Sequence, residues 1–128
     1  MLRNPRYVIA VKDLPQSARF YRDVLGFEII TIPDPGWLFF VKDDCFIMAG
    51  ECADAMSPRE LGDHSYFAYV EVDDIQRYHD VVVANGAEVM KPLRREPWGM
   101  TEFGVRTADG HRSTTGVSGA TARGGRPR

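Results

Sequence analysis

The chain has 128 residues, enough for one domain with its own core but not for two. Hydrophobic residues at 44% and charged residues at 27% are the balance of an ordinary globular protein rather than a disordered or fibrous one. The formal charge is −2, of which Arg123, Arg126 and Arg128 contribute +3; residues 1–112 therefore carry −5 and lack the basic surface that nucleic acid requires.

No apolar run is long enough to span a bilayer, and no signal peptide is expected, because Arg3 and Arg6 lead directly into an alternating strand. Cys45 and Cys52 lie seven residues apart, which is neither a disulfide framework nor a Cys-x-x-Cys site. A reducing cytoplasm is the simplest location.

The first predicted strand is the β-branched run Tyr7 to Val11. A helix follows. Asp13 is placed to cap its free amide groups, and Pro15 suits a first turn, where its missing N–H is no loss. Leu14, Ala18, Tyr21 and Leu25 recur at helical spacing, and Gly26 supplies the left-handed stop. Phe27 to Ile32 reads as a second strand, Pro33 to Gly36 as a turn, and Trp37 to Val41 and Cys45 to Ala49 as a hairpin closed by Lys42-Asp43-Asp44.

After a small, polar stretch a weaker copy begins. Tyr66 to Val72 is a strand, Asp74 caps a helix carrying Ile75, Tyr78 and Val82 on one face, and Asn85-Gly86 ends it. Asp13 and Asp74 are 61 positions apart, Gly26 and Gly86 are 60 apart, so the chain is one unit written twice. Ala87 to Met90, a loop at Pro92 to Gly99, Thr101 to Arg106, a turn at Ala108-Asp109-Gly110 and a strand from His111 complete the copy. Each half is β-α-β-β-β. Two helices cannot cover both faces of a mixed sheet, so the fold class is α+β, with helices on one face of a curved sheet. The boundaries are 1–112 for the single domain, with modules at about 6–50 and 64–112, a linker at 51–63, and an atypical tail at 113–128. That tail is glycine-rich and nearly all small and polar, which predicts disorder for most of it.

Three stretches in this order carry a resemblance: Val11-Lys12-Asp13-Leu14 with Phe20 to Phe27, Tyr69 to Asp74, and Pro97 to Phe103 with Asp109-Gly110-His111. The chain resembles the vicinal oxygen chelate superfamily, which includes glyoxalase I, extradiol dioxygenases and bleomycin-resistance proteins, and it is most similar to the last of these. The resemblance implies paired βαβββ modules whose sheets curl into a cup, helices on the outer face, and a homodimer. In metal-dependent members resembling glyoxalase, four strand positions hold His, Gln or Glu ligands. Here they fall on Arg6, Met48, Phe67 and Thr114. A cation, a thioether, a phenyl ring and a hydroxyl are a poor donor set for a divalent ion, so no metal and no cofactor are expected. His64, His79 and His111 read as surface, helix or turn residues, and carboxylates without a histidine make a weak site for zinc or iron.

What stands in place of ligands is aromatic surface. Period-two alternation groups Phe67, Tyr69 and Glu71 on one strand face and Trp37 with Phe39 on another, while Trp98 occupies a turn near Met100 and Glu102. With Arg6 and Met48 these ten residues form the expected binding set, suited to a planar or cationic organic molecule held by stacking and cation–π contact. No Gly-x-Ser-x-Gly elbow and no phosphate-binding glycine loop occurs, so no catalytic residue is assigned. The expectation is a non-catalytic small-molecule-binding protein; the alternative is a metal-dependent lyase, isomerase or dioxygenase with an unusual ligand set such as Glu71, Glu102 and His64.

Overall fold

Two aspartates start the two helices in the computed structural model, which describes residues 1–118. Asp13 accepts the Gln16 amide at 3.0 Å and opens α1 (Leu14–Asp23), and Asp74 accepts the Arg77 amide at 3.1 Å and opens α2 (Ile75–Ala84). Satisfying an otherwise orphaned first-turn amide is the reason for an aspartate there. Gly26 at φ 84° and Gly86 at φ 99° take the left-handed conformation that turns the chain out of each helix.

The strands are β1 (Tyr7–Val11), β2 (Glu28–Thr31), β3 (Trp37–Lys42), β4 (Cys45–Glu51), β5 (Tyr66–Glu71), β6 (Glu88–Arg95), β7 (Met100–Arg106) and β8 (Arg112–Ser118). They form two four-stranded mixed sheets, β1-β4-β3-β2 and β5-β8-β7-β6. The β1/β4 and β5/β8 pairs are parallel and the others antiparallel. The α+β class and the two βαβββ modules are therefore as the sequence predicts, with two separate ladders in place of one continuous sheet. Among the described residues no helix is long and apolar enough to cross a membrane.

Each sheet turns one face to its helix. Ile9, Val11, Phe40, Ile47 and Ala49 from the first sheet and Phe103 and Val105 from the second are buried, in one cluster with Leu14, Ala18, Tyr21 and Leu25 of the first helical segment and Ile75 and Val82 of α2. Burying such side chains contributes on the order of 1.5–3 kcal/mol each, so this shared core, rather than helix propensity, holds the modules together. Polar clasps cross the same seam: Tyr78 Oη donates to the Leu25 carbonyl at 3.1 Å, Asn85 Nδ2 to the Val24 carbonyl at 3.2 Å, and Ser17 Oγ to Asp109 at 2.7 Å.

The structure corrects three expectations. The tail drawn from residue 113, mostly disordered by expectation, begins as strand: residues 113–118 belong to β8, between β5 and β7. Ladders on both sides satisfy its backbone groups, and Thr114, Thr115 and Val117 are β-branched strand formers; pairing supplies what low hydrophobicity does not. The remainder of the expected disordered tail, 119–128, lies outside the described residues. The loop expected at Pro92 to Gly99 is strand as far as Arg95, because β6 is the sheet's edge, where a proline leaves no ladder bond unmade, and two register shifts absorb it. The segment read as linker, 51–63, is not all loop: Pro58–His64, overlapping its end, is 3-10 helix with a kink at Gly62.

Candidate functional site

The faces turned away from the helices are open. On the first sheet, pairing puts Trp37 opposite Gly50 and Phe39 opposite Met48, with Val8 beside Met48 from β1. Gly50 is what lets the Trp37 ring lie flat across β4: a Cβ there would come within 2.8 Å of Trp37 Cη2. Phe39 and Phe46 pack at 5.1 Å, and the Arg6 guanidinium stands 3.8 Å above the Phe46 ring. The expected residues Arg6, Trp37, Phe39 and Met48 thus share one surface, on which Val8 is 62% exposed.

The second sheet repeats the device with different chemistry. Gly116 lets the Tyr69 ring cross β8, a Cβ there falling 2.9 Å from Tyr69 Cζ. Tyr69 Oη then donates to Glu102 on β7 at 2.7 Å, and Trp98 Nε1 donates to the same carboxylate at 3.2 Å. Lys91 pairs with Glu102 and, at 2.7 Å, with Glu96, which also takes Arg94 at 2.9 Å. The Lys91 ammonium lies 5.0 Å from the Trp98 ring centroid. Burial pushes the Glu102 carboxyl up, but hydrogen bonds from Lys91, Tyr69 and Trp98 more than offset it and hold it below its ordinary range. Hydrogen bonds from Lys91 and Arg94 do the same for Glu96. Burial and the Glu102 hydrogen bond raise the Tyr69 phenol. A carboxylate so fully engaged is no free base. Its effect is to fix two rings, Tyr69 and Trp98, and Trp98 remains 63% exposed. Met100, two residues before Glu102 on β7, is half-buried, and Glu71 is exposed opposite Gly116.

Phe67 does not join either surface. A register shift between Tyr66 and Ala68 breaks the alternation expected of β5, and the Phe67 ring packs edge-on against Tyr7 at 6.1 Å and His111 at 5.5 Å, at the seam between the modules. Phe67, Tyr69 and Glu71 border an intermodule cavity of about 630 Å³ that touches none of the other seven expected residues. The ten residues thus divide among two open faces and a seam. Sequence reading missed Phe46, Lys91 and Glu96. Phe46 is two residues before Met48 and was within reach of the alternation rule, whereas Lys91 and Glu96 meet only through the shifted register of β6.

The divalent metal that the resemblance associates with this fold does not fit these residues. Arg6 is stacked on Phe46, Phe67 is packed between Tyr7 and His111, and Met48 and Thr114 offer a thioether and a hydroxyl. Of the alternative set, His64 sits exposed in the 3-10 helix and Glu102 is taken by Lys91. Among the described residues no group of three or more His, Cys, Asp or Glu is placed to hold a metal ion.

A known family's description matches residues 3–113, nearly all of the two modules. The chain belongs to the Glyoxalase/Bleomycin resistance protein/Dioxygenase superfamily. Solved structures of this shape include TioX from Micromonospora sp. ML1, 19% identical at TM-score 0.70, covering 89% of this chain and 98% of TioX. TnmS3, an antibiotic binding protein from Streptomyces sp. CB03234, is 18% identical at TM-score 0.70, covering 92% and 98%. The fosfomycin resistance protein FosX from Listeria monocytogenes is 14% identical at TM-score 0.67, covering 94% of each chain. At these identities the likeness establishes the superfamily fold and leaves the chemistry to the residues. No curated protein sequence matches the chain.

Proposed function

We propose that this protein is a non-catalytic binder that sequesters a planar aromatic or cationic small molecule on the ring-bearing open faces of its sheets, in a cytoplasmic homodimer. The observation that carries the reading is the pair of immobilised ring sets: Trp37 laid across Gly50 beside Phe39 and Phe46, and Tyr69 and Trp98 held by Glu102. Rings fixed before binding lose little rotamer freedom on stacking, and the exposed Glu71 carboxylate adds attraction for a cation. Val8 at 62% and Ile30 at 36% exposure leave apolar surface on the first face that a second copy would cover. Two free cysteines suit a reducing compartment. The antibiotic-binding description of TnmS3 agrees with this reading.

The chain's two tryptophans stand one in each module, Trp37 on β3 and Trp98 in the β6–β7 turn, so intrinsic fluorescence reports on both surfaces. Titration with ethidium, a planar aromatic cation, is expected to quench both saturably, and Trp37→Phe and Trp98→Phe should each remove their own share. Absence of quenching at millimolar ethidium, or a stoichiometric metal with chelator-sensitive turnover of a hemithioacetal or catechol, would overturn the proposal. Light scattering tests the dimer.

A further inference from the structure

We propose that Asn85-Gly86, at the end of α2, is a self-modification site: Asn85 deamidates, and the carboxylate that results unlocks the clasp between the two modules. Asn85 is exposed, and Gly86, also exposed and at φ 99°, has nothing within 4 Å of where a Cβ would stand. The backbone nitrogen after an asparagine can attack its side-chain carbonyl carbon, and a following glycine has no Cβ to hinder the approach. The N–Cγ bond forms, the Cγ–Nδ2 bond breaks, and ammonia leaves with the amide proton. Water then opens the cyclic imide at either carbonyl, giving aspartate or isoaspartate, with nothing oxidised or reduced. The chain's other asparagine, Asn4, precedes a proline, whose nitrogen has no proton to give up.

What makes this asparagine consequential is where its side chain ends. Asn85 Nδ2 donates to the Val24 carbonyl at 3.2 Å, across the seam and next to the Tyr78–Leu25 bond. Val24 is the C-cap of α1 and Asn85 the C-cap of α2, so the amide stands between two helix C-termini. A helix end leaves its last carbonyls unpaired and carries partial negative charge, which a donor satisfies and an anion opposes. Deamidation replaces that donor with a carboxylate beside the Val24 oxygen and adds negative charge to both helix ends at once. The same contacts restrain the reaction, because the Gly86 N–H donates to the Val83 carbonyl at 3.0 Å and Val24 holds Asn85 Nδ2. Both reacting groups come free when the last turn of α2 frays, as helix ends do. The product cannot rebuild the clasp, so each event loosens the seam permanently. The site lies on the helix side of the sheets, apart from the ring-bearing faces, and involves no ligand.

The experiment is peptide mapping of the full chain held in warm, mildly alkaline buffer, beside a free peptide of residues 80–90. Aspartate and isoaspartate are expected at position 85, forming about tenfold slower than in the peptide, the worth of one or two net hydrogen bonds. Asn85→Asp, which installs the product directly, should melt several degrees below the parent. Asn85→Ala, which loses the donor without adding charge, should fall between the two. In Asn85→Asp, hydrogen exchange should rise about fivefold at the Val24, Leu25 and Phe27 amides, which bond to Phe20 and Tyr21 within the first module. An Asn85 still intact after about a hundredfold longer than the peptide needs, or one converting as fast as the peptide, would overturn the site. An Asn85→Asp protein that melts with the parent, or whose exchange rises in α2 alone, would overturn its hold on the seam.

Discussion

In the first module Trp37 lies across Gly50 of β4; in the second, Tyr69 lies across Gly116 of β8, the corresponding parallel-paired strand. The backbone device is the same, a glycine in an inner strand that lets a neighbouring ring lie flat on the sheet. What holds the ring differs. Trp37 shares its face with Phe39 and Met48, and farther along that face Phe46 packs on Phe39 and carries Arg6. Tyr69 is tied through its hydroxyl to Glu102, and Glu102 to Lys91 and Trp98. A duplicated fold has therefore diverged into one surface organised by apolar packing and one organised by a buried charge network. The first should tolerate change in volume-conserving steps; the second should fail when any one member is removed, since a partly satisfied network is worse than none.

The sharpest way to break this contrast is Glu102→Leu. It leaves Lys91 with Glu96 alone and frees both ring donors, at a cost of about 1–3 kcal/mol. Urea denaturation should show that loss, while Met48→Leu on the other face stays below about 1.5 kcal/mol as a volume-conserving exchange. Equal losses would erase the distinction. Next in size, Gly116→Val drives a side chain into Tyr69 and should cost about 1–3 kcal/mol by overpacking. Gly50→Val should cost less, because the Trp37 ring can lift without surrendering a hydrogen bond, and a fluorescence shift would report its movement. Smaller still, Arg6→Ala removes a cation–π contact at an exposed site and should cost about 0.5–1 kcal/mol.

The last difference is in pH dependence near neutrality, where a half-buried histidine of the second module leads. Burial lowers the His111 pKa from its ordinary 6.5, and its Nδ1 is buried without a partner among the described residues. The unfolded chain takes up that proton first, so stability falls as pH drops below about 6.5. Glu96 and Glu102, held below 4.5, add a second loss as pH falls through their folded values. Asp109, pushed up by burial, works in the opposite sense at low pH. Melting temperatures between pH 7.5 and 5.5 should decline for the parent and flatten for His111→Gln; an unchanged slope would remove His111 from the account.

The sequence by itself determined the two modules, the helices and the fold class. Aspartate caps, the helical spacing of Leu14, Ala18, Tyr21 and Leu25, and the glycine stops are local instructions, each readable from a few neighbours. It also put Trp37 and Phe39 on one face, because undisturbed strands alternate with period two, while Arg6 and Met48 came from the ligand positions that the resemblance implies. Tertiary structure alone decided the rest. β8 is a strand because β5 and β7 pair with it on both sides, although its own residues are small and polar. The register shift at Phe67 moved that ring to the seam, and those in β6 brought Lys91 to Glu102; such shifts depend on how strands meet and leave no mark in composition. The Tyr21 hydroxyl, unpaired among the described residues, is of the same kind. Helical spacing shows that Tyr21 faces inward, but whether its oxygen finds a partner depends on residues that only the second module brings alongside.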